Sequence, residues 1–302
     1  MSIRWRRAAL AAVLLVATGV VAPQRAVGDI TTVSTDVART GWAQDEPKLN
    51  PATVSGSEFG QLFSTAMPDG AQVYGQPIVV GGTLIAATEG NSVYGLDPTD
   101  GSIKWSQNFG SPWPASAINC GDLVPNIGIT STPVYDPGTN SVYFTTKVND
   151  GVDVNHPHYY LHAIDPAGGA ERDGWPVTIQ GTPSNDPSTP FNAKTQLQRP
   201  GLLLMDGVVY IGFGSHCDKE DYRGYVAGVS TTTHTMTSLW TTESGAANQG
   251  SGIWQAGGGL ASDGSGRIFA STGNGVTPPV GPGSSPPGTL SVTVTLYLIS
   301  RV

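Results

Sequence analysis

Val93-Tyr94-Gly95-Leu96-Asp97-Pro98-Thr99-Asp100-Gly101-Ser102-Ile103-Lys104-Trp105 reads as two strands joined by a tight turn. Val93 to Leu96 is apolar with strand-forming residues, and Ile103 to Trp105 resumes the same character after the turn. Between them, Asp97 and Asp100 supply carboxylates that cap backbone N–H groups, Pro98 fixes φ, and Gly101 tolerates positive φ. Working outward, Gln76-Pro77-Ile78-Val79-Val80, the turn Gly81-Gly82 and the strand Leu84 to Thr88 precede it. Four short antiparallel strands therefore lie between positions 76 and 110.

The unit recurs. Thr132-Pro133-Val134-Tyr135 and Arg199-Pro200-Gly201-Leu202-Leu203 open second and third copies, and Gly258-Gly259-Leu260-Ala261 opens a fourth without the proline. Polar turns follow at Asp136-Pro137-Gly138, Asp206-Gly207 and Asp263-Gly264, then second strands at Val142 to Thr146, Val208 to Gly212 and Arg267 to Ser271. Third strands follow at Tyr160 to Asp165 and Tyr225 to Ser230, each turning towards a tryptophan, Trp175 or Trp240. Thr289 to Leu298 alternates apolar and polar positions and reads as the third strand of the fourth copy. A repeated four-stranded antiparallel unit specifies an all-β, β-propeller fold. The blades fall at about 76–110, 130–180, 199–243 and 258–298, so about four of the seven or eight of a closed ring are present. An open stack of this kind leaves strand edges bare, and self-association is expected.

Composition agrees. Among 302 residues there are 40 Gly and 23 Pro, and only 13% are charged, which excludes coiled coils and helical bundles. Residues 1–28 read as a signal peptide: Arg4, Arg6 and Arg7, then the apolar run Ala8 to Ala22, then Ala26 and Gly28 before a cleavage site at Asp29. The apolar run is short for a bilayer span, so no stable membrane span is expected after cleavage. Removal of this segment leaves 11 Lys+Arg against 23 Asp+Glu, an acidic surface without a basic cluster, which argues against nucleic-acid binding. The expected destination is extracytoplasmic, secreted or in the cell envelope. Residues 29–75 read as a segment leading into the propeller.

The stretch from Val93 to Trp105 resembles the repeat of pyrroloquinoline-quinone (PQQ)-like propellers, in which the small-residue turn precedes a tryptophan packed between neighbouring blades. The run Arg39-Thr40-Gly41-Trp42, Glu46-Pro47-Lys48-Leu49, Phe59 to Ser64 and Gln76-Pro77 is similar to secreted bacterial members of that superfamily. The resemblance covers roughly residues 36–275. It implies the propeller fold and, for function, either a dehydrogenase using PQQ and calcium or a non-catalytic scaffold.

Loop lengths distinguish the two faces. Connections at 111–129, 147–158, 181–198, 213–223, 244–257 and 273–288 are long, whereas the turns on the opposite face are short. Long loops on a rigid scaffold are where binding residues collect. Gln76 and Arg199 enter innermost strands and are candidates to line the channel mouth, with an internal ion pair as the alternative for Arg199. Trp254 and Gln255 are candidates to stack on or contact a ligand, against blade packing; Asn274 is a further candidate, against turn capping. His156 and His158, with His162 and Asp153 nearby, have metal-ligand spacing, with a solvated loop as the alternative. Asn149 to Asp153 carries the acids of a calcium loop without its spacing.

No Gly-x-Ser-x-Gly elbow joins a strand to a helix, and Gly257-Gly258-Gly259 precedes a strand rather than a phosphate-holding helix. Cys120 and Cys217 lie in long loops of the same face on adjacent blades, and export favours a disulfide between them. The expected function is non-catalytic binding of a protein or glycan partner by the long-loop face. The alternatives are a quinoprotein-like oxidoreductase, for which the adjacent Cys-Cys pair of those enzymes is missing, and a glycan-processing hydrolase.

Overall fold

The computed structural model describes residues 28–275, apart from 45, 47, 48, 58, 246–248 and 274. Blade one is the sheet β1 (Ile78–Val80), β2 (Thr83–Ala87), β3 (Ser92–Leu96) and β4 (Ile103–Asn108), hydrogen-bonded in that order. A small hairpin, β5 (Trp113–Pro114) with β6 (Asn126–Ile127), stands in the connection to blade two. Blade two contains β7 (Val134–Asp136), β8 (Ser141–Val148), β9 (His158–Ile164) and β10 (Val177–Ile179), again in sequential order. After β11 (Gln196–Leu197), blade three is β12 (Leu203–Met205), β13 (Val208–Ser215), β14 (Tyr225–Ser230) and β15 (Met236–Thr241). Blade four is described through β16 (Ala261–Ser262) and β17 (Ile268–Phe269). The alternating stretch Thr289 to Leu298 lies outside the described residues.

Neighbouring blades bury apolar faces against each other. Ile78, Ile85 and Val93 meet Val142, Phe144 and Ile164 between blades one and two. Tyr143 and Leu161 meet Ile211 and Phe213 between blades two and three, and Leu203 and Val226 meet Leu260 and Ile268 at the next joint. Trp105 is the expected inter-blade tryptophan. It lies across Gly95 of β3, where an added Cβ would fall inside the indole, and against Gly169 in the β9–β10 turn. Burial at each joint supplies the main driving force for stacking.

Residues 29–40 form a strap across the innermost strands. Ile30 pairs with Val79, the Thr31 carbonyl accepts the Tyr135 N–H at 2.8 Å, and the Val37 carbonyl accepts the Ser262 N–H at 2.8 Å. Val33 is fully buried where Gly201 and Gly259 leave room for it. The strap therefore touches all four blades. Met67 packs on Leu84, Ala86, Tyr94 and Leu96, so the outer face of blade one is partly covered rather than bare.

Some boundaries differ from the sequence reading. β8 runs to Val148 and β9 begins at His158, which shortens that connection to 149–157 and puts His158 on a strand opposite Val148. β13 extends through Ser215, because Phe213 and Ile211 continue its buried face. In blade four the first strand begins at Ala261 rather than Gly258. Gly259 instead bridges to Gly201, a side-chain-free close approach.

Candidate functional site

The long-loop face is pinned by a disulfide. Cys120, in the blade one–two connection, bonds Cys217, in the β13–β14 connection, with their Cα atoms 5.6 Å apart. Beneath it lies a group of buried ionisable side chains at the ends of the second strands.

Lys147, on β8, is fully buried. Its Nζ donates to the carbonyls of Gln196 at 3.0 Å and Lys194 at 3.2 Å, lies 2.9 Å from His216 Nε2, and sits 3.9 Å over the Trp113 ring. Burial holds its pKa well below the usual lysine value, while the Glu89 charge opposes that. His216 Nε2 is also 2.9 Å from the Gln196 carbonyl, and its Nδ1 has no hydrogen-bond partner. Burial and the Lys147 charge lower its pKa. Glu89 occupies the position in blade one that Lys147 occupies in blade two, as the registers Val80–Thr83 and Asp136–Ser141 show. Its Oε2 accepts the Gly128 N–H at 2.6 Å, and burial raises its pKa to about 7 against the lowering effects of that amide, Thr130 and Arg199.

The candidates within the described residues each have a place. Arg199 Nη1 stands 4.0 Å from Asp122 Oδ2, so the internal ion pair is present. Gln76 Oε1 accepts the Ser34 N–H at 3.4 Å and its own N–H donates to Thr132 Oγ1, which ties it to the strap and to blade two. Trp254 packs over Gly214, Gly252 and Gly273. Gln255 Nε2 donates to the Gly259 carbonyl at 3.0 Å. Asn274 lies outside the described residues.

The histidines diverge. His156 Nδ1 is 2.8 Å from Asp153, His158 Nδ1 is 2.7 Å from Asp150, and the buried His162 Nδ1 is 2.6 Å from Glu171. Asp150 also accepts the Tyr160 hydroxyl, so the acids of the 149–153 loop are engaged locally. Among the described residues, the one group with three potential metal ligands within reach of each other is Cys120, Asp122 and Cys217, and its two sulfurs are bonded together.

Between the connections at 181–202 and 216–224 lies a cavity of about 240 Å³, lined by Ser188, Asn192, Thr195, Asp221, Arg223 and Tyr225 among others. Its lining is evenly polar and apolar, and it opens among the loops of the long-loop face.

Sequence reading missed Lys147, Glu89 and His216. The available signal was a lysine directly after the apolar strand Val142 to Thr146, at a position the sequence reading put in the 147–158 connection.

PQQ, which the fold family implies together with calcium, does not find among the described residues the cysteine platform of the quinone enzymes. The quinone enzymes stack their cofactor on a disulfide between adjacent cysteines, whereas Cys120 and Cys217 are 97 positions apart. One face of the buried Trp113 is taken by the Lys147 ammonium, Glu89 Oε2 accepts the Gly128 N–H, and Asp122 Oδ2 faces Arg199. Among the described residues, the carboxylates gather no third acidic or histidine ligand beyond the Cys120, Asp122 and Cys217 group.

The PQQ_2 family, described as outer membrane protein assembly factor BamB, matches residues 2–147 and 60–211. Among solved structures, quinohemoprotein alcohol dehydrogenase ADHIIG from Pseudomonas putida HK5 is 19% identical with a TM-score of 0.59, over 82% of this chain and 35% of that one. Quinohemoprotein alcohol dehydrogenase from Comamonas testosteroni is 17% identical with a TM-score of 0.57, over the same shares. BamB from Moraxella catarrhalis is 14% identical with a TM-score of 0.40, over 69% of this chain and 50% of that one. The chain thus spans about a third of the length of the two dehydrogenases, and the likeness to them is one of fold. No curated protein sequence matches it. Among the described residues, no helix is long and apolar enough to cross a membrane.

Proposed function

Because this chain belongs to the PQQ_2 family, outer membrane protein assembly factor BamB, we propose that it works as an exported, non-catalytic scaffold that holds a protein or glycan partner on its long-loop face. The observation that carries the reading is the state of that face. Its loops are stapled by Cys120–Cys217, and the ionisable groups beneath them are turned inward onto one another: Lys147 to His216 and Gln196, Glu89 to Gly128, Arg199 to Asp122. Groups so placed rigidify a surface, and none presents a proton or a nucleophile to a substrate. A rigid rim of long polar loops suits recognition, in which preorganisation lowers the cost of association. Extracytoplasmic location follows from the leader-like residues 1–28 and is consistent with the disulfide.

A photo-crosslinking side chain at Val152, 91% exposed in the β8–β9 connection, compared with one at Thr99 in the β3–β4 turn, tests the reading in the native host. Adducts from Val152 and none above background from Thr99 are expected. Equal adducts from both faces, or adducts from Thr99 alone, overturn it.

A further inference from the structure

The cavity between the connections at 181–202 and 216–224 is held open by its own walls. Phe191 packs edge-on against Phe213 and Tyr225, with ring centroids 4.9 and 5.4 Å apart, and roots the first connection in blade three. The Tyr225 hydroxyl donates to the Thr189 carbonyl at 3.1 Å, so the phenol is fixed to the wall it helps to line. Gly245, from a third long connection, is held from two sides. Its N–H donates to Asp186 Oδ2, and its carbonyl accepts from Arg223 Nη2 at 3.3 Å. Lys194 and Glu220, sequence neighbours of the lining residues Thr195 and Asp221, pair at 2.6 Å and tie the first two connections together. Three long loops are thereby fixed around one opening, which lowers the ordering cost of binding there.

What the walls leave unused defines the ligand. Asp221 is exposed and accepts no hydrogen bond among the described residues, so its carboxylate is an open acceptor. Asn192 Oδ1 accepts the Lys194 N–H at 3.0 Å, while its amide NH2 has no acceptor among the described residues and is an open donor. Both line the cavity, as does Arg223, two residues from Asp221. One guanidinium is matched there by one carboxylate, so the lining has no net charge. A phosphate would meet Asp221 and a simple cation would meet Arg223, each a like charge in a confined space. The remaining lining, Pro190 and the Tyr225 ring among it, is apolar. A neutral ligand with adjacent hydroxyls on an otherwise C–H surface matches this set, because a hydroxyl both donates and accepts. At about 240 Å³ the cavity is smaller than the about 300 Å³ at which drug-sized ligand sites begin, and it suits a single ring.

We propose that this cavity binds the terminal neutral hexopyranose of a glycan. One ring hydroxyl donates to Asp221, its neighbour accepts from Asn192, and the anomeric oxygen points out through the opening to the rest of the chain. The proposal rests on the long-loop face as a recognition surface and narrows its partner to a sugar.

The test is ligand-detected NMR of the oxidised full chain with the methyl α- and β-glycosides of glucose, galactose and mannose, and with the free hexoses, glycine and inorganic phosphate. At least one methyl glycoside is expected to saturate in the millimolar range. The isosteric variants Asp221→Asn and Asn192→Asp each weaken it at least about tenfold, the worth of one hydrogen bond to a charged group, with the unfolding midpoint retained. Thr99→Ala, on the opposite face, leaves it unchanged. Binding by none of the glycosides overturns the proposal, as does a free hexose that binds where its glycosides do not. Unchanged affinity in either cavity variant overturns it too, as does glycine or phosphate binding more tightly than every glycoside. Failure of sugar binding with the Val152 adducts intact removes the sugar and leaves the scaffold reading; loss of those adducts removes the scaffold reading by itself.

Discussion

At the joint between blades one and two, Trp105 fits over Gly95 and Gly169; in the strap at 29–40, Arg39 makes five hydrogen bonds. Its Nη2 donates to the Leu202 carbonyl at 2.9 Å and its Nε to the Leu260 carbonyl at 2.9 Å, joining blades three and four. Nη1 donates to Thr32 Oγ1, the Val33 carbonyl and the Asp36 carbonyl within the strap itself. Burial lowers the Arg39 pKa to about 10, opposed by Asp36, so the guanidinium stays charged at neutral pH. The joint is repeated and mainly apolar. The strap adds to its backbone pairings one cation that donates to carbonyls of blades three and four as well as to its own. Repetition spreads stability over many contacts in the blades; in the strap, five side-chain hydrogen bonds are concentrated in Arg39.

Arg39→Ala tests that concentration. It leaves the Leu202 and Leu260 carbonyls without their donor and is expected to cost about 3–5 kcal/mol in denaturant unfolding. A loss below about 1 kcal/mol would erase the contrast between strap and joint. The paired Cys120→Ser, Cys217→Ser variant removes the staple on the long-loop face and is expected to cost about 2–4 kcal/mol. The loss should be matched by adding reductant to the unaltered protein.

Glu89 gives a pH-dependent effect on the same face. Its carboxyl pKa rises from the ordinary 4.5 to about 7 on folding, so its contribution is fully present below pH 4.5 and is lost as pH rises through 7. Glu89→Gln therefore matches the parent near pH 4 and exceeds it in stability by on the order of 3 kcal/mol at pH 8. A difference that does not change with pH would contradict the burial of that carboxyl. The smallest effect is expected at the exposed histidines. His156→Ala and His158→Ala leave the unfolding midpoint unmoved, and added zinc does not raise the midpoint of the parent.

The repeat made the blades legible. Pro77, Pro133 and Pro200 before innermost strands, glycine turns and tryptophans after third strands all mark periodic positions, and the sheets form where those marks stand. The Cys120–Cys217 pairing was legible too, because blade order placed both loops on one face. Arg39 and Lys147 were not. Their partners are mostly main-chain carbonyls or lie on other blades, and no side-chain pattern in the sequence announces such an acceptor. The β5–β6 hairpin escaped for a related reason: two residues per strand, anchored by buried Trp113 and Ile127, carry too little alternation to be read. For Trp254 and Gln255 the sequence left ligand contact and packing both open, because the glycines at 214, 252 and 273 under Trp254 and the Gly259 carbonyl that Gln255 reaches are brought to them only by the fold.

Titration of the purified, oxidised protein with PQQ and calcium, followed by calorimetry and by dye-linked oxidation of alcohols and sugars, tests the scaffold account most directly. The account predicts no saturable heat, no quinone spectral change and no dye reduction. Stoichiometric quinone binding with turnover would contradict it.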